Sequence, residues 1–139
     1  MLLKEVGMSK SLRPFHLAFP VRDIKEAKAW YCEILGCKIG RESIEWIDFD
    51  FFGHQIVAHL SKSISLKDSN EVDGHNVPVR HFGIILHEKE WTRLKNNLKE
   101  RNIKFIIDPH TRFKNSPGEQ STLFIKDPSG NAIEFKAFK

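Results

Sequence analysis

Apolar and polar positions follow one another along this chain in two rounds of the same order: strand, helix, then several short strands. The first round opens at Phe15-His16-Leu17-Ala18-Phe19-Pro20-Val21, an apolar run interrupted by one histidine. Pro14 and Pro20 bracket it, which suits a strand at a sheet edge or one that enters and leaves there. Asp23 is a good N-cap, and Ile24, Ala27, Tyr31, Ile34 and Leu35 recur at helical spacing. Lys25, Glu26, Lys28 and Glu33 fill the other face, and Gly36 suits the position just past the helix end. Short strands are expected over about 37–41, 44–51 and 55–61, with Phe52-Gly53-His54 as the turn between the last two.

The second round starts at Val79-Arg80-His81-Phe82-Gly83-Ile84-Ile85-Leu86, again with a histidine near its start, and reads as a buried strand. A helix follows over 88–101, with Trp91, Leu94 and Leu98 on its apolar face. A strand over 103–107 runs into Asp108-Pro109, and a polar loop covers 110–118. Strands over 120–126 and 132–138 flank the turn Asp127-Pro128-Ser129-Gly130-Asn131. A shift of 65 residues places His16 on His81 and Asp23 on Glu88, a repeat of pattern with few identities. The expected organisation is a single α+β domain over 14–138: module one at 14–61, a polar linker or loop at 62–78, and module two at 79–138. Residues 1–13 read as an N-terminal extension, with Met8 a second candidate start.

Composition narrows the function classes. With 139 residues, 40% hydrophobic and 29% charged, the chain is an ordinary globular domain able to bury a core. The net charge of +4 is spread without a basic run, so no nucleic-acid partner is expected; Lys95, Lys99, Arg101 and Lys104 lie on the wet side of a helix. No apolar stretch approaches a membrane span, and Met1-Leu2-Leu3 is too short for a signal-peptide core, so the expectation is a cytoplasmic protein without a membrane partner. Cys32 and Cys37 lack a disulfide-framework or CxxC spacing and read as reduced structural thiols.

Four ionisable side chains interrupt the apolar strands: His16 and His59 in the first and last strands of round one, His81 and Glu134 in those of round two. A buried carboxylate among Ala132, Ile133 and Phe135 calls for a partner or a metal. Three imidazoles and a carboxylate form a plausible ligand set for a divalent transition metal. Each has a plainer alternative, a histidine satisfied by its neighbours or a glutamate facing water. His54, His75, His87 and His110 lie in or beside turns and read as surface residues, with His54 and His75 near the mouth of any such site.

These motifs resemble the vicinal oxygen chelate superfamily of glyoxalase I, extradiol dioxygenases and fosfomycin-resistance proteins. The resemblance rests on the Phe15–Val21 and Val79–Gly83 stretches, on Ala29-Trp30-Tyr31 through Leu35-Gly36, and above all on Asp127-Pro128-Ser129-Gly130-Asn131-Ala132-Ile133-Glu134-Phe135. It implies paired βαβββ modules forming a cupped mixed sheet around a divalent metal, with His16, His81 and Glu134 as ligands. His59 is then a fourth ligand, as glyoxalases use at that position, or a nearby acid/base. Trp46-Ile47-Asp48-Phe49 and Phe51-Phe52-Gly53-His54-Gln55 resemble a bacterial branch described as extradiol-type dioxygenases. One departure is Phe124, on the strand where many extradiol dioxygenases carry an acid/base tyrosine.

The resemblance therefore implies a metal-dependent enzyme acting on a small substrate with vicinal oxygens. The leading expectation is an Fe(II) dioxygenase in which His59 or His54 manages protons. The alternatives are a glyoxalase-like lyase or isomerase on Zn(II), Ni(II) or Mn(II), and a metal-free small-molecule binding protein. Arg80, Arg112, Glu119, Gln120 and Phe124 are the candidate substrate contacts. A homodimer is implied, and if modules are exchanged, His16 and His59 of one chain would meet His81 and Glu134 of the other.

Overall fold

The structure, a computed structural model, describes residues 12–64 and 69–139. Met8 and nearly all of the expected extension lie outside them. The element order is β1 (His16–Val21), α1 (Ile24–Glu33), β2 (Lys38–Glu42), β3 (Trp46–Phe51) and β4 (His54–Leu60), then β5 (Ser69–Val72) and β6 (His75–Pro78). It continues with β7 (His81–Leu86), α2 (Glu88–Glu100), β8 (Phe105–Arg112), β9 (Gln120–Lys126) and β10 (Ala132–Phe138). Two mixed four-stranded sheets result, ordered β1-β4-β3-β2 and β7-β10-β9-β8. In each, the first strand pairs parallel with the last, and the remaining pairs are antiparallel. The chain is thus α+β, built of two βαβββ modules.

Each helix starts where local chemistry stops the preceding strand. Asp23 is extended and accepts a hydrogen bond from the Glu26 amide, which caps α1. Gly36 adopts φ +69° just beyond that helix and lets the chain reverse. In module two the His87 amide donates to the Glu90 carboxylate at 3.3 Å, tying the first turn of α2. Phe19, Phe49, Ile133 and Phe135 of the sheets join Tyr31 and Leu98 of the two helices in one core. The opposite faces of β1 and β7 are open: His16, Ala18, His81, Gly83 and Ile85 are exposed. The strand around His81 is therefore buried on one face, not both.

A buried carboxylate clasps the modules together. Asp127 accepts from the amides of Ser129 and Asn131, from the Asn131 side chain, and from the Tyr31 hydroxyl at 2.8 Å. Asn131 also donates to the carbonyl of Pro20 at 2.8 Å. Burial raises the Asp127 pKa above its ordinary value, and these hydrogen bonds oppose the shift. Tyr31, expected as helix packing, is fully buried against Phe49 and supplies this cross-module bond as well.

Two segments depart from expectation. The polar linker holds a hairpin, β5–β6, turning at Asp73 and Gly74, both with positive φ. The strand expected to stop near Asp108-Pro109 continues as β8 to Arg112. It can do so because β8 is a sheet edge and its register shifts between Ile107 and His110, so the missing amide of Pro109 breaks no continuous ladder.

The clasp sets an expected stability order. Tyr31→Phe should cost about 1–2 kcal/mol, and Asp127→Ala, which orphans several buried donors, about 3 kcal/mol or more, in urea denaturation of the two variants.

Candidate functional site

Parallel pairing decides which side chains share the open face of module two. Ala132 lies opposite His81 and Glu134 opposite Gly83, so Glu134 stands one step along from His81 on the same face. His81 Nε2 and Glu134 Oε1 are 3.3 Å apart. Gly83 permits this approach: a Cβ there would sit 1.7 Å from the Glu134 carbonyl oxygen. Its smallness thus serves backbone proximity.

Both partners are oriented from behind. His81 Nδ1 donates to the carbonyl of Pro78 at 2.7 Å, which leaves Nε2 as the nitrogen presented to Glu134. Thr122, itself buried, donates its hydroxyl to Glu134 Oε2 at 2.5 Å, and Lys136 Nζ lies 3.7 Å from the same oxygen. The hydrogen bond to Glu134 raises the His81 pKa against the opposing effect of burial. Burial pushes Glu134 upward, but the hydrogen bonds from His81 and Thr122 outweigh it and leave the carboxylate below its ordinary range.

Module one presents its histidine in the same manner. His16 Nδ1 meets Gln55 Oε1 at 2.7 Å, while Gln55 Nε2 donates to Asp48 Oδ2 at 3.3 Å. The carboxylate fixes the orientation of the amide, so Gln55 accepts from His16 and Nε2 of His16 is left for a ligand. The register corrects one equivalence. His16 lies opposite Gln55, so the counterpart of Glu134 is Val57, and His59 stands two residues beyond it. Among the described residues no three His, Cys, Asp or Glu side chains gather closely enough to hold a metal ion. His81 and Glu134 are together; His16 and His59 do not join them within this chain.

The hairpin walls the open face of module two. Asp73, His75 and Val77 line a cavity of about 170 Å³ together with His81, Phe124 and Glu134. His110, expected as a surface residue, lines it too, with its ring stacked on His75 at 4.6 Å. Phe124 meets the His81 ring edge-on at 5.0 Å. Arg112 lies in the same wall, its Nε donating to Asp73 at 2.7 Å. The other candidates sit elsewhere. Arg80 lines a cleft between β1 and β7. Glu119 accepts from the Asn115 amide and pairs with Lys139, so it ties a loop. Gln120 is opposite Arg112, and its Oε1 is buried without a hydrogen-bond partner among the described residues. His54 accepts from the Phe15 amide at 2.8 Å and pins the start of β1 to β4. His75, expected near the mouth of a site, lines this cavity; His110 escaped a sequence reading because it follows the turn-forming dipeptide Asp108-Pro109, which looks like loop. No helix among the described residues is long and apolar enough to cross a membrane.

The family profile described as Glyoxalase/Bleomycin resistance protein/Dioxygenase superfamily matches residues 13–135. Comparison with curated proteins gave no match. Among solved structures, a glyoxalase/bleomycin resistance protein/dioxygenase from Alicyclobacillus acidocaldarius is 38% identical over 91% of each chain, with a TM-score of 0.76. The fosfomycin resistance protein FosX from Listeria monocytogenes is 15% identical, covers 94% of both chains and has a TM-score of 0.67. A lactoylglutathione lyase from Agrobacterium tumefaciens is 16% identical over 93% of this chain and 96% of its own, with a TM-score of 0.63. These last two share the fold.

The His81–Glu134 pair predicts a pH signature in metal-free protein. Its contribution is lost as pH falls through the depressed Glu134 pKa, and lost again as pH rises through the raised His81 pKa. The melting-temperature gap between wild type and His81→Gln should therefore peak between the ordinary values of 4.5 and 6.5 and shrink on either side.

Proposed function

The chain belongs to the Glyoxalase/Bleomycin resistance protein/Dioxygenase superfamily, and on that premise we propose that it is a divalent-metal-dependent enzyme of the extradiol dioxygenase type. The observation that carries this reading is Val57 at the position equivalent to Glu134. A valine offers no donor, so the ligand set is His16, His81 and Glu134. Two histidines and one carboxylate leave coordination positions free and suit Fe(II), whereas a glyoxalase-like lyase on Zn(II), Ni(II) or Mn(II) would want a fourth ligand.

The residues present fit half a metal site in one chain. His81 Nε2 and Glu134 face one another with their other polar atoms held by Pro78 and Thr122. His16 has its Nδ1 held by Gln55 but stands apart from them. The open faces of β1 and β7 fit completion by a second copy, with His16 of one chain meeting His81 and Glu134 of the other. Bound Fe(II) would supply Lewis acidity and open positions for a vicinal diol and dioxygen. The protein's own part is to orient the two histidines from behind, to exclude water with Phe124 and the hairpin, and to hold protons. Phe124 cannot transfer a proton, so that role falls to His59, which lies on the same strand face as Gln55 and Val57.

Anaerobically purified protein should bind Fe(II) and consume oxygen when given catechols. His16→Ala, His81→Ala and Glu134→Gln should each weaken metal binding by more than the roughly 10–100-fold of outer-shell changes. Bound Zn(II) or Ni(II) without oxygen uptake would point to the lyase instead, and ligand binding without any metal to a binding protein. Mixing inactive His16→Ala with inactive Glu134→Gln protein should restore about a quarter of wild-type activity if sites are shared between copies, and none if they are not.

A further inference from the structure

The cavity over module two holds two cations in addition to the residues proposed as ligands. The cross-strand rows show where they stand. One row carries Glu134, Phe124 and Ile107; the next carries Lys136, Thr122 and His110; Arg112 lies in the row beyond, opposite Gln120. The space over them is therefore polar and chelating at His81 and Glu134, with Lys136 Nζ 3.7 Å from that carboxylate, apolar through Phe124, Ile107 and Val77, and cationic toward Arg112.

Arg112 is held ready for an anion. Its Nε donates to Asp73, and its Cζ sits 4.8 Å from the centre of the Phe113 ring. These contacts orient the guanidinium plane, while among the described residues the terminal Nη donors have no hydrogen-bond partner. An oriented guanidinium edge with two free parallel donors matches a carboxylate. Asp73 itself is more than half exposed, so its pairing with Arg112 is weak and does not exhaust the cation. Among the described residues Lys136 has only a long contact to Glu134, a residue with two closer donors, His81 and Thr122. The cavity, about 170 Å³, lies below the ~300–1,000 Å³ of drug-sized sites and admits only a small molecule.

We infer that the substrate is a small aromatic acid, whose carboxylate is received by Arg112 and Lys136 while its vicinal oxygens face His81 and Glu134. The inference rests on the proposed function for its chelating end. The carboxylate end is testable without metal.

The probes are benzoate and its neutral amide, benzamide, titrated calorimetrically into metal-free full-length protein. Benzoate should bind about tenfold or more tightly than benzamide, with an affinity that falls as salt rises. Arg112→Gln should abolish that preference. Lys136→Gln should reduce it, and it keeps the test alive if loss of the Arg112–Asp73 pair unfolds the hairpin, which thermal melts of both variants would reveal. Equal binding of the two probes to wild type overturns the inference, as does a preference that survives in folded variants. Fe(II) titration of wild type separates the two readings. Metal uptake without benzoate preference defeats this inference alone; benzoate preference without metal uptake leaves the anion site standing and defeats the metal enzyme.

Discussion

A buried carboxylate, Asp127, holds the two halves of this molecule in one piece. Four donors converge on it, one of them the Tyr31 hydroxyl of the other module, and Asn131 extends the clasp to the Pro20 carbonyl. Burying such a group is unfavourable unless every lone pair is met, and here the turn between β9 and β10 is shaped to meet them. Because β10 begins at Ala132, directly after Asn131, the clasp also fixes where Glu134 emerges. The clasp and the site are consecutive on one strand.

Duplication supplies the symmetry of the site, and two departures from it supply the asymmetry that chemistry needs. Both first-strand histidines have Nδ1 occupied and Nε2 presented, by a backbone carbonyl in one module and a glutamine in the other. The symmetry breaks at Val57, which stands where module two has Glu134. It breaks again at the β5–β6 hairpin, which walls the open face of module two. The hairpin acts twice, since Pro78 at its end also orients His81.

Much of this was legible from the residues. Asp23 marked the first helix start, Glu88 opened the second helix, and β9 and β10 span the residues expected on either side of the Asp127–Asn131 turn. The pairing of His81 with Glu134 was legible as two polar interruptions in matching strands. What escaped depended on partners distant in sequence. β5 is exposed throughout and β6 only half-buried, so the hairpin carries no clear apolar alternation; the Asp73-Gly74 dipeptide is its sequence signal. The offset of His59 from Val57 is a matter of register, and alternation alone leaves residues 55, 57 and 59 equivalent. His110 looked like loop because an edge strand with shifted register tolerates the proline that precedes it.

That same tolerance governs how the molecule meets its neighbours. With β1 and β7 brought near each other by Phe19 and Phe82, the outward rims are β2 and β8. A bare rim of amides and carbonyls is a template for adding foreign strands. Pro109 and two register shifts interrupt β8, while β2 is short, irregular between Ile39 and Glu42, and carries Lys38, Arg41 and Glu42. Irregularities that look like lapses in strand building thus defend a two-sheet protein against aggregation through its own margins.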